Sequence, residues 1–340
     1  MADNTHIEWT DATWNPVTGC SVTSPGCTNC YAMKLAGTRL KHIPSRAGLT
    51  RESKAGPVWT GEVRFNEEWL TQPLKWQRPR RIFVCAHGDL FHENVPDEWI
   101  DRVFAVMALA PQHTFQVLTK RSARMREYLT RPTVEIRVGL EALGLAMEAY
   151  YRDRKSSLGK GVALMGADIN PGALKAWPLP NVWLGVSVED QARADERIPD
   201  LLATPAAVRW ISAEPLLGPV DLVGIKSPQP GGRINAVHGY HLGEKCEKLD
   251  WVVCGGESGP GTRPMHPDWA RDLRDQCAAA GVAFLFKQWG QWVACLYNDP
   301  AQHGPVGNIK GIGENQWMKR SGKKAAGRLL DGVLHDGFPA

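Results

Sequence analysis

What the sequence lacks sets its first limits. No apolar run approaches the roughly eighteen residues of a membrane-spanning helix. The opening MADNTHIEWTDATWN has no basic patch leading into an apolar stretch, as a secretory leader would. We therefore expect a cytoplasmic chain with no membrane partner. Charge of one sign is also scarce, with 40 Lys and Arg against 36 Asp and Glu for a net +4, too little by itself to argue for a polyanion. Tyrosine and phenylalanine are few, six and eight, whereas tryptophan reaches 14, enough for base stacking but equally at home in a core. A reducing compartment disfavours structural disulfides, so eight cysteines must be packing residues, ligands or redox groups. Cys85, Cys254, Cys277 and Cys295 lie in or beside apolar runs and Cys246 in a polar one, and we read these as packing or loop residues.

The other three cysteines stand apart. In GCSVTSPGCTNCYAMKLAG, Cys20, Cys27 and Cys30 fall within eleven residues of Gly, Pro, Ser and Thr, spaced C-x6-C-x2-C, directly before a helix-like Tyr31 to Leu40. Three soft ligands are one short of a closed tetrahedral site, which suggests a metal or cluster with one open position. A zinc reading lacks a second knuckle nearby and needs a distant fourth ligand such as Cys246 or His87.

The remaining chain alternates short apolar runs with amphipathic stretches. The runs are 81–85, 114–118, 182–186, 208–212, 251–254 and 282–286, too short for helices and rich in β-branched and aromatic residues. Between them, 96–110, 122–129, 191–203 and 267–281 carry helical spacing, the last with Gly281 placed to end it. Strand then helix, repeated, predicts a parallel α/β sheet. With two further short strands, Ile7–Trp9 and Val63–Phe65, the count reaches eight, and we expect a (β/α) TIM-type barrel, complete or partial. It would fill 1–340 as a single domain, with an insertion at 131–180 and a C-terminal extension at 317–340.

Each run turns polar at its end: His87, Asp89 and His92; Thr119 and Lys120; Ser187 and Glu189; Glu214; Gly255, Gly256, Glu257 and Ser258; Lys287 and Gln288. In a barrel these positions share the C-terminal rim, where catalytic groups gather, although any one of them is equally a loop residue with no role. The cysteine loop, following the first strand, would lie on the same rim. Basic residues bunch at 75–81, 120–126 and 319–328, compatible with a phosphate-rich partner or with solvated faces.

Three cysteines in a first βα loop, the last pair C-x2-C, resemble the radical S-adenosylmethionine (SAM) superfamily. The whole chain looks like an uncharacterised phage-type Gp protein family with a three-cysteine motif that is similar to that superfamily. The stretches carrying this are WNPVTGC, GCTNCYA, DLFHENVPDEWI, FQVLTKR, NVWLGVSVED, ISAEPLLGPVDL, VVCGGESGPGTRPM, FLFKQWG and GRLLDG.

The resemblance implies a [4Fe-4S] cluster on Cys20, Cys27 and Cys30 and S-adenosylmethionine as cosubstrate. From their strand-end positions we assign Glu214, Glu257 and Lys287 as catalytic, and Asp89, Ser187, Glu189, Glu214, Gly255, Gly256 and Glu257 as cofactor contacts. Lys120, Arg121 and Arg124 are assigned to nucleic acid. The leading expectation is an enzyme that modifies or repairs nucleic acid or a nucleotide. Two alternatives stand beside it: a zinc- or cluster-stabilised binding module without chemistry, acting with a three-Cys-motif partner protein, and a radical SAM enzyme for a small molecule.

Overall fold

A computed structural model describes residues 5–152, 174, 176–295, 306–308 and 317–339. The chain divides into two compact units. The first comprises Met1–Val22, Ala32–Gly185 and Thr204–Val208, and the second Thr23–Tyr31, Val186–Ala203 and Arg209–Ala340.

The main sheet has seven strands, β1 (Ala12–Trp14), β2 (Arg81–Val84), β3 (Thr114–Thr119), β4 (Val182–Ser187), β5 (Val208–Ala213), β6 (Trp251–Gly255) and β7 (Ala283–Gln288). Their order in the sheet is their order in the chain. The registered pairs are parallel: Ala12 opposite Ile82, Ile82 opposite Phe115, Trp210 opposite Trp251 and Val252 opposite Phe284. This mixed α/β fold is compatible with a partial (β/α) barrel. Seven strands, not eight, form the sheet, and no pairing joins β1 to β7 among the described residues.

Two expected strands fall elsewhere. Ile7–Trp9 is coil and turn, and β1 lies five residues later. The backbone explains the shift: Asp11 N donates to Arg81 O at 2.9 Å and Thr10 Oγ1 to the same oxygen at 3.0 Å, so pairing with β2 starts after Trp9. Arg64–Phe65 is a strand but pairs antiparallel with Val17–Thr18, outside the main sheet.

In the first unit, α2 (Asp97–Ala108), after α1 (Tyr31–Gly37), begins behind Pro96 with Asp97 and Glu98 in its first turn, which suits the helix dipole. It buries Ile100, Val103, Phe104 and Met107. Following α3 (Ser122–Leu129), the long helix α4 (Val134–Arg152) occupies the start of the expected insertion and packs Ala142 and Ala146 against Ala105 and Leu109 of α2. Most of the rest of that stretch, 153–173 and 175, lies outside the described residues.

In the second unit, α5 (Gln191–Leu202) is capped by Asp190, whose side chain accepts from Arg193 N at 2.9 Å. Helix α6 (Pro267–Ala280) is capped by His266 and ends at Gly281, whose φ of +65° is the left-handed conformation that a C-terminal glycine adopts freely. Between β5 and β6 lies a four-stranded antiparallel sheet of two- and three-residue strands, too short to leave a pattern in the sequence. The C-terminal segment is tied to β7: Phe286 N donates to His335 O and Gly337 N to Phe284 O, both at 2.9 Å. Phe338 stacks on Trp251, with centroids 5.1 Å apart, so the tail covers an edge strand that would otherwise offer unpaired backbone.

Candidate functional site

Both units carry part of the cysteine motif. In the first, Gly19 leads into Cys20 with φ +96°, and a Cβ there would run into the Glu62 carbonyl, so only glycine fits the approach. Cys20 is held by a cation. Arg121, just past the end of β3, places Nη1 3.2 Å from Cys20 Sγ and 3.1 Å from Asp89 Oδ2, Nε 3.2 Å from Glu93 Oε2, and Nη2 2.6 Å from Ser21 Oγ. The guanidinium is 8% exposed. Burial alone would lower its pKa, but Asp89, Cys20 and Glu93 around it overcome that and raise it.

Asp89 is likewise buried and spends both oxygens. Oδ1 accepts from Phe91 N at 3.0 Å and Thr119 Oγ1 at 2.7 Å, and Oδ2 accepts from Lys120 N at 3.1 Å as well as from Arg121. His92 completes the network. Its Nδ1 accepts from Asn94 N at 3.1 Å, so its proton sits on Nε2, 3.0 Å from Ser21 Oγ. Burial and then Arg121 lower its pKa, against the opposing pull of Glu93 and Asp89.

In the second unit, Cys27 closes a 3-10 turn, Pro25–Cys27, and Cys30 N donates to Cys27 O at 3.2 Å. Two carboxylate–arginine pairs grip this turn. Glu189, after β4, accepts from Ser24 Oγ at 2.7 Å and from Arg197 Nη1 at 3.1 Å, and the same nitrogen donates to Ser187 O at 2.8 Å. The pair is dry, 0% and 1% exposed. Glu257, after β6, accepts from Asn29 Nδ2 at 3.0 Å and from Arg263 Nη2 at 2.6 Å. Arg263 also donates to Pro25 O at 3.0 Å, and Asn29 to Gly261 O at 2.9 Å. Burial would raise the Glu257 carboxyl, but hydrogen bonds from Arg263 and Asn29 bring it below its ordinary value.

Glu214 and Lys287 form a third pair, at the ends of β5 and β7. Lys287 Nζ lies 2.9 and 2.7 Å from the two Glu214 oxygens, and Gln288 Nε2 donates to Glu214 Oε1 at 3.0 Å. Gly255 faces this pair; a Cβ there would sit 3.3 Å from Glu214 Cδ and 3.4 Å from Lys287 Cβ. Gly256 is required by the backbone, since a Cβ would strike the Trp289 carbonyl.

The expected residues thus divide. Glu214, Lys287, Gly255, Gly256 and Glu257 come together at strand ends of one unit, while Glu189 and Ser187 are engaged by Arg197 there. In the other, Arg121 meets Cys20, and Asp89 accepts from Arg121 and from the Lys120 amide. Arg124 is turned to Asp97 at 2.5 Å and to Val95 O at 3.3 Å, so nucleic acid would have to compete with a carboxylate for it. Sequence reasoning missed Arg121 as a sulfur neighbour and missed Ser24, Asn29, Arg197 and Arg263 altogether. Serine and asparagine flanking a ligand-type cysteine were the signal available.

No disulfide joins any of the eight cysteines. Burial pushes the thiols of Cys85 and Cys277 up to about 12, as expected of packing residues. Among the described residues no three His, Cys, Asp or Glu side chains gather as a metal-holding group. The surroundings of the motif cysteines nonetheless suit anionic sulfur: a guanidinium donor at Cys20 and the Thr23 hydroxyl 3.8 Å from Cys27 Sγ.

A family model described as "Protein of unknown function (DUF5131)" matches residues 4–339. The chain belongs to the DUF5131 family. No curated protein and no solved structure matches this DUF5131 chain. Among its described residues no helix is long and apolar enough to cross a membrane.

Proposed function

We propose that this DUF5131 chain is a radical-SAM-like enzyme in which Cys20, Cys27 and Cys30 hold a [4Fe-4S] cluster, acting on nucleic acid or a nucleotide. The TIM-type barrel and the phage-type Gp relationship belong to the same reading. The observation that carries it is the bracing of the cysteine loop. Two carboxylate–arginine pairs fix the Cys27 turn and a buried arginine faces Cys20, an investment in side-chain order that a packing thiol does not need. When bound, such a cluster with S-adenosylmethionine supplies one-electron radical chemistry.

The chain's own residues would do the rest. Arg121 donates to the Cys20 sulfur, which favours the thiolate form that ligates iron, and the Thr23 hydroxyl lies 3.8 Å from Cys27 Sγ. Glu214 and Lys287 present a charge pair, partly open to solvent, to whatever binds beside β5 and β7. Six of the fourteen tryptophans, Trp9, Trp14, Trp59, Trp210, Trp251 and Trp289, are core residues and offer no stacking face, so the polynucleotide reading rests on the basic bunches at 75–81 and 319–328.

Anaerobic reconstitution with iron, sulfide and zinc analysis tests the reading. We expect about four irons per chain, lost in air, abolished in Cys27→Ala and kept in Cys85→Ala. Stoichiometric, air-stable zinc without iron would replace the enzyme with the binding module acting beside a three-Cys-motif partner. Iron uptake without any retention of DNA or RNA at low salt would point to the small-molecule enzyme.

A further inference from the structure

Glu189 was expected to touch a cofactor, yet it is entirely buried, and its carboxylate is engaged by the cysteine loop and by α5. Ser24 Oγ donates to Glu189 Oε1 at 2.7 Å and lies 3.9 Å from Cys27 Sγ. Gly26 lies over the same carboxylate, and a Cβ there would run into the Glu189 side chain. Arg197 anchors the carboxylate from below, 1% exposed and bonded to Ser187 O. A rigid line therefore runs from the end of β4 through Arg197 and Glu189 to Ser24, one turn before Cys27.

We infer that Glu189 and Ser24 are positioning residues that set the place of Cys27, not ligand contacts. The inference rests on the proposed role of Cys27 as a metal ligand, but its physical content, that Cys27 is held by this line, stands apart from any metal. A serine hydroxyl has one proton, and Glu189 takes it. Ser24 therefore acts as a spacer between a fixed carboxylate and the cysteine turn, and losing it frees the turn while the β4–α5 scaffold stays intact. Glu257 with Asn29 grips the far end of the same segment. Among the strand-end carboxylates of this unit that leaves Glu214, paired with a lysine that is itself 14% exposed, as the one placed to meet a ligand.

The experiment uses the metal-free, reduced full chain, with iodoacetamide as probe and peptide-resolved mass spectrometry to read each cysteine. Loss of one hydrogen bond to a buried charge should speed Cys27 alkylation about tenfold in Ser24→Ala. Ser24→Thr, which keeps the hydroxyl, should return it to the wild-type rate. Cys254 and Cys277, fully buried in β6 and α6, report general loosening and should not change. An unaltered Cys27 rate in Ser24→Ala, or a joint rise at Cys27, Cys254 and Cys277, overturns the inference. Iron content is read separately. A wild type that takes no iron removes the cluster reading, while the selective tenfold rise would still establish the positioning role.

Discussion

The two ends of the cysteine motif are held by opposite chemistry. At Cys20 a cation faces the sulfur, with Arg121 shared among Cys20, Asp89, Glu93 and Ser21. At Cys27 an anion lies one hydroxyl away, Glu189 behind Ser24, balanced by Arg197 beneath it. The first arrangement acts on the sulfur itself. The second acts on the backbone that carries the sulfur. They also differ in water: Glu189 and Arg197 are dry, whereas Asp89 and Arg121 retain 6% and 8% exposure. The cost of breaking a pair depends on how much solvation and how many other donors the stranded charge keeps.

The largest effect should come from the dry pair. Arg197→Met leaves a fully buried carboxylate without the Arg197 charge, a loss of about 3 to 5 kcal/mol, read as a lowered urea midpoint. Loss of under 1 kcal/mol would mean that water reaches Glu189, and the contrast between the two ends would fail.

Arg121→Met should cost less, about 1.5 to 3 kcal/mol. Asp89 keeps the backbone amides of Phe91 and Lys120 and the Thr119 hydroxyl, so its charge stays solvated by donors. The same urea titration orders the two variants. If Arg121→Met proved the more damaging, Cys20 and not Cys27 would sit on the more rigid support.

This division of labour was only half legible in the sequence. Strands β2 to β7 and helices α2, α3, α5 and α6 lie within a few residues of where their apolar patterns put them, because burial in a parallel sheet imposes short continuous apolar runs and packing against it a clear helical period. Strand β1 escaped because Ala12–Trp14 is three residues long, and its pairing is set by Asp11 and Thr10 meeting Arg81, a partner some seventy residues away. Polar residues at strand ends were equally legible, and what each one faces was not. Nothing at position 189 distinguishes a carboxylate open to a ligand from one that accepts from Ser24, 165 residues earlier in the chain. Arg121 reads as part of a basic bunch, and its burial beside Cys20 follows only once β3 ends next to the residues after β2.

A surface pair sets the lower end of the scale. Asp331 accepts from Arg271 and Arg274, with Nη2 of Arg271 and Nη1 of Arg274 each at 2.7 Å, but stays 37% exposed and lies outside both cysteine segments. Solvent screening limits such a pair to about 0.2 to 1 kcal/mol, well below either end of the motif. Hydrogen bonds from Arg271 and then Arg274 lower the Asp331 carboxyl from 3.8 to about 2. A carboxylate with a depressed folded-state pKa adds stability that is fully present above its unfolded value and disappears as pH falls through the folded value. The substitution Asp331→Asn isolates the charge, since asparagine tolerates the left-handed φ of +53° at this position as well as aspartate does. Wild type should exceed the variant by a constant margin above about pH 5, and the margin should shrink between about pH 4 and pH 2, measured as the difference in urea midpoint. A margin that stayed level down to pH 2 would show that the ion pair adds nothing, and one as large as that of Arg197→Met would show that burial does not govern what these pairs are worth in this protein.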